Sequence, residues 1–101
     1  MDKIQILVIG RNEQIVATVE RLINNNPAWR ATTCLTDDAA IAICSKQAFD
    51  LVLLGGGIDA RSEGILRASI NARQPGLKVI QHYGGGSGLL TTEINMALAA
   101  K

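Results

Sequence analysis

The sequence predicts an α/β domain, a parallel sheet covered on both faces by helices, and three observations carry that expectation. Strand-like and helix-like apolar periodicities alternate along the whole chain, which is the pattern of successive β-α-β units. Two strand-like runs, residues 6–9 and 51–54, are continuously apolar, as strands buried on both faces must be. Nearly half of the chain is apolar (48%) while Trp29, Phe49 and Tyr83 are its only aromatic residues, so the core is built from Ile, Leu, Val and Ala. At 101 residues, two cores would each be too small to bury themselves, and a single domain over 1–101 is expected.

Residues 4–9 read as the first strand. After the break at Gly10-Arg11, Asn12 can cap a helix whose Ile15, Val16, Val19, Leu22 and Ile23 recur at helical spacing, and Asn24-Asn25-Asn26-Pro27 ends it. Residues 29–35 form a second strand, polar enough for a sheet edge, and Thr36-Asp37-Asp38 opens a second helix carrying Ala40, Ile41, Ile43 and Cys44. Residues 50–54 are the most apolar strand and belong at the centre. A third helix starts at Asp59 or Ser62 and runs to about Arg73, with Ile65, Leu66 and Ile70 inward, stopped by Gln74-Pro75-Gly76. Residues 77–81, extending as far as Tyr83, form a fourth strand, and residues 89–100 a last helix with a stripe of Leu90, Ile94, Ala97 and Leu98. The expected architecture is three layers, α/β/α, with a four-stranded parallel sheet of order 2-1-3-4 and four helices.

Composition narrows the function classes. Ten basic residues against nine acidic ones give a net charge of +1 with no basic cluster, so nucleic acid is not an expected partner. The longest apolar runs fall far short of the roughly 18 to 20 residues that cross a bilayer, and the start lacks a secretory pattern, so no membrane association and a cytoplasmic location are expected. Cys34 and Cys44 have neither CxxC spacing nor a partner histidine and read as buried reduced thiols. No Ser–His–Asp or Cys–His constellation can be assembled around His82, the lone histidine, so catalysis and a resident cofactor or metal are not expected.

The run Lys3-Ile4-Gln5-Ile6-Leu7-Val8-Ile9, followed about forty residues later by Phe49-Asp50-Leu51-Val52-Leu53-Leu54, resembles the first and third strands of a response-regulator receiver domain of the flavodoxin-like class. The resemblance covers most of the chain and implies a signalling domain. It also implies positions where the family's chemistry is missing. The acidic pair that follows strand one, and holds a divalent cation, corresponds to Gly10 and Arg11. The phosphoacceptor aspartate corresponds to Gly55, and a hard cation would find no carboxylate oxygen there. The hydroxyl residue after strand four falls on His82 or Tyr83, and the family's last strand, with its lysine, has no counterpart. A shortened pseudo-receiver, not phosphorylated on aspartate, is the implication.

Ligands of open α/β sheets bind beyond the carboxyl ends of the strands. Three loops converge there: Gly10-Arg11-Asn12, Gly55-Gly56-Gly57, and Gly84-Gly85-Gly86-Ser87-Gly88. Glycines and helix N-termini favour an anion, and Arg11 would add a full charge. The third loop lacks the Gly-Lys-Ser/Thr ending of a P-loop, and Gly55-Gly56-Gly57-Ile58-Asp59-Ala60 follows the third strand where a dinucleotide fingerprint follows the first. Tight turns, where a strand feeds a helix with no side chain in the way, are the favoured account of both triplets. The order 2-1-3-4 leaves strand four exposed, and an exposed edge is a template for pairing. A non-catalytic interaction domain is therefore expected, a homodimer or a complex with a signalling protein through Leu77, Val79, Gln81 and the last helix. The alternative is a small protein that binds a phosphate- or nucleotide-type anionic ligand in its glycine loops.

Overall fold

In the computed structural model, which describes residues 3–55, 57–81 and 87–99 and the side chains of the last helix from Thr92 onward, strand and helix alternate throughout. The order is β1 (Ile4–Ile9), α1 (Glu13–Asn24), β2 (Trp29–Cys34), α2 (Asp37–Cys44), β3 (Leu51–Leu54), α3 (Ala60–Arg73), β4 (Lys78–Gln81) and α4 (Ser87–Ala99). All pairings are parallel in the order β2-β1-β3-β4, as the alternation requires. Ile6 pairs with both Ala31 and Leu51, and Leu54 with Gln81.

The pleat of β1 divides the core in two. Ile6 and Val8 join Leu51, Leu53, Val16, Val19, Ile23, Ile94 and Ala97 on the α1/α4 face. Leu7 and Ile9 join Val52, Leu54, Ala40, Cys44, Leu66 and Ile70 on the α2/α3 face. Both strands are covered on both sides, which is why their sequences are continuously apolar.

Helix starts follow from local chemistry. Asn12 Oδ1 accepts from Ile15 N (3.0 Å), Thr36 Oγ1 from Ala39 N (3.2 Å), and Asp59 Oδ1 from Ser62 N (2.7 Å), each satisfying an N–H that a first turn leaves without a partner. At the far end of α3, Gly76 turns with φ of 86°, in the left-handed region that glycine enters without strain. Just before it, Gln74 accepts from Phe49 N (2.9 Å) and donates to Cys44 O (2.9 Å) and Gln47 O (2.7 Å), tying α3 to the end of α2 and the approach to β3.

Two expected inward positions face solvent. Ile15 is 54% exposed because Val16, Val19 and Ile23 centre the buried face of α1 about 70° around the helix from it. Ile65 is 49% exposed for the same reason, one residue away from Leu66 on α3. The second strand stops at Cys34 because the Leu35 carbonyl accepts from Arg11 Nη1 (3.2 Å), which draws Leu35 out of the ladder. The last helix begins at Ser87, earlier than the expected Leu89, so Ser87 belongs to α4. Gly56, His82, Tyr83, Gly84, Gly85 and Gly86 lie outside the described residues.

Candidate functional site

The chain leaves β1 for β2 and then crosses back to β3 on the other side, so the sheet's switch point lies above the carboxyl ends of β1 and β3. Gly10 and Gly55 meet there. A Cβ built on Gly10 would lie 2.6 Å from the Cγ2 of buried Val16 and 4.0 Å from the Gly55 Cα. Gly55 N donates to Ile9 O (2.7 Å) and Gly10 N to Cys34 O (3.1 Å). Gly57, with φ of 86°, lies against Arg11, whose Cβ would be 3.1 Å from an added Cβ. The structure thus brings Gly10 and Arg11 together with Gly55 and Gly57.

Arg11 is not a free cation at this crest. Its Nη2 pairs with Asp37 Oδ1 at the start of α2, and its Nη1 holds the Leu35 carbonyl. A cleft beside it is lined by Leu35, Thr36, Asp37 and Asp38, so two carboxylates accompany one guanidinium. Asp59 is held below the usual carboxylate range, chiefly by its bond from the Ser62 N–H, with Arg11 adding an attractive charge. The crest therefore links the loops after β1 and β2 and feels the loop after β3. Asp37, 26 residues from Arg11, was legible only as a helix opener.

The second candidate surface is the open edge. Among the described strands β4 pairs with β3 alone, and all four of its residues are half-buried. Leu77 and Val79 pack toward the α3 side and Ile80 toward the other. Arg67 of α3 donates through Nε to Glu63 Oε2 (2.7 Å) and through Nη1 to the Val79 carbonyl (2.9 Å). Gln81 Nε2 donates to the other oxygen of Glu63. Glu63 and Arg67 went unremarked in the sequence, where their i, i+4 spacing on α3 is the one signal of the pair and nothing marks its reach onto β4.

Cys34 and Cys44 are buried free thiols, both raised above the ordinary thiol value by burial; at Cys44 the neighbouring Cys34 adds to this and Arg73 opposes it. Among the described residues no three His, Cys, Asp or Glu side chains gather to hold a metal ion, and no helix is long and apolar enough to cross a membrane.

Solved structures share this architecture. The receiver domain of the hybrid histidine kinase CckA superposes with a TM-score of 0.72 at 14% identity, over 93% of this chain and 98% of that one. A putative pilus assembly-related protein of Burkholderia pseudomallei gives 0.72 at 19% identity, over 95% and 90%. A putative pilus assembly protein, CpaE, of Burkholderia thailandensis gives 0.69 at 18%, over 97% and 99%. The fold is receiver-like. No protein-family model and no curated protein matches the sequence.

Proposed function

We propose that this chain is a receiver-like signalling or protein-interaction domain that works without aspartyl phosphorylation, through a surface fixed in one state. The observation that carries the reading is Arg11: where the receiver resemblance places metal-binding acid, a guanidinium bridges to Asp37 and to the Leu35 carbonyl. Gly55, in the phosphoacceptor position by the same resemblance, has no side chain to modify. A crest cross-linked by its own ion pair has no need of a cation or a phosphoryl group to draw its loops together. The contact surface is β4, through Leu77, Val79 and Gln81, together with the last helix, and its occupant is a second copy or a signalling or assembly protein. The two buried thiols suit a reducing compartment, the cytoplasm.

Acetyl phosphate with Mg²⁺, followed by intact mass and amide NMR, tests the reading. The expected result is an unmodified chain with Gly10, Arg11, Asn12, Gly55 and Gly57 unmoved; a phosphorylated chain, or Mg²⁺-dependent shifts at those amides, overturns it. The competing reading, an anion held by the glycine loops, is disfavoured by the pairing of Arg11 with Asp37. The Asn12 and Asp59 side chains also already take the N–H groups of Ile15 and Ser62. Millimolar inorganic phosphate is expected to leave the same amides in place, and saturable shifts there would favour the anion reading.

A further inference from the structure

Within the proposed interaction role, and resting on it, we propose that β4 accepts an extended acidic segment of a partner protein, with Arg67 as the residue that selects it. An added strand needs the acceptors along the open side of β4, and Arg67 Nη1 takes one of them, the Val79 carbonyl. Pairing therefore requires an exchange. A backbone N–H of the incoming strand replaces Nη1 at Val79 O, and the guanidinium takes a new acceptor in return. A carboxylate is the best one, because it can accept two parallel N–H bonds from the guanidinium fork. Among the described residues two of the five Arg67 donors have acceptors, Nε to Glu63 and Nη1 to Val79, and the side chain is 42% exposed, so the fork is accessible.

The surroundings define the rest of the segment. A groove of ≈ 380 Å³ runs between α3 and β4, lined by Arg67, Ala68, Asn71, Leu77 and Val79. Its floor is aliphatic and its rim polar, which suits an apolar side chain on the α3 side of an added strand, with the carboxylate two residues away on that same face. Charge argues against a second copy pairing strand to strand. A two-fold axis near Val79 would crowd together the two Arg67 guanidinium groups, each already paired with its own Glu63, and would bring no unpaired carboxylate for the exchange at Val79 O. The edge is thus screened against its own copies and open to acid.

The test uses the whole chain and three labelled hexapeptides that carry valine at position 2 and aspartate, asparagine or lysine at position 4, on one strand face, with threonine elsewhere, titrated by amide and arginine side-chain NMR. The aspartate peptide is expected to move Leu77 to Gln81 and the Arg67 Nε–H. It should bind about two- to fivefold tighter than the asparagine peptide at low salt, an exposed charge pair being worth that much. Arg67→Ala should erase that preference while Arg67→Lys, which keeps the charge, retains part of it. Equal binding of all three peptides at β4 overturns the acidic selectivity and leaves the interaction surface standing. If no peptide shifts β4 while rising protein concentration does, the occupant is a second copy and the inference fails alone. Phosphorylation by acetyl phosphate would instead overturn the function on which it rests.

Discussion

Two arginines make the same pair of contacts in two places, and the consequences differ. At the crest, Arg11 joins a carboxylate, Asp37, and a carbonyl, Leu35 O; at the edge, Arg67 joins Glu63 and Val79 O. Arg11 bridges loops that follow adjacent strands, with Asp59 also within its field, so its bonds hold the top of the sheet in one arrangement. Arg67 holds a carbonyl of β4, which among the described strands pairs on one side only, and in the proposal that carbonyl passes to another chain. A similar guanidinium bridge closes one region and guards the other. The difference lies in whether the carbonyl belongs to a loop or to an open ladder.

The largest effect on this comparison comes from the anchor of the edge. Leu66→Ala, beneath Arg67 and fully buried, should lower stability by about 2–5 kcal/mol in urea unfolding and loosen α3 over β4. A loss below about 1 kcal/mol would show that α3 is not held by that side chain. At the crest, Gly10→Asp should cost about 1–3 kcal/mol by overpacking against Val16, so restoring an acid there damages the fold before it can bind a cation. A variant of unchanged melting temperature would mean that the crest yields more easily than its contacts suggest.

Smaller effects separate the two bridges. A double-mutant cycle on Arg11 and Asp37 should give a coupling of about 0.2–1 kcal/mol, the pair being partly exposed. The cycle on Glu63 and Arg67 should give about 0.3–0.5 kcal/mol, as i, i+4 helix pairs do, and a larger coupling there would mean that the edge bridge is the more rigid one. The smallest effect concerns Asp59. Its folded value lies below the unfolded one, so its stabilisation is present above the unfolded carboxylate value and is lost as pH falls through the folded value. Asp59→Asn, which keeps the cap acceptor, should flatten the acid limb of melting temperature against pH; an unchanged limb would assign the acid sensitivity to other groups.

Much of the fold was legible because its signals are local. Asn12, Thr36 and Asp59 cap helices where their sequence neighbours place them, and the apolar runs of β1 and β3 announced central strands. Inward faces were less legible. Ile15 and Ile65 fit an apolar period yet lie outside the buried stripe, because a helix next to a flat sheet buries a narrower arc than a spacing count admits. The candidate site was legible in its glycines and not in its charges. Gly10 and Gly55 meet because β1 and β3 are neighbours, which the order 2-1-3-4 already required.

The sequence by itself determined the alternation of elements, the central strands and the helix starts, since each follows from the hydrophobic period and from side chains within a few residues. Only the tertiary structure decided what the arginines do. Arg11 reaches an aspartate 26 residues away, and Arg67 a carbonyl 12 residues away. Long side chains find such partners after the sheet and helices have set the distances, and a charged residue on a loop or helix carries no local mark of which acceptor it will meet.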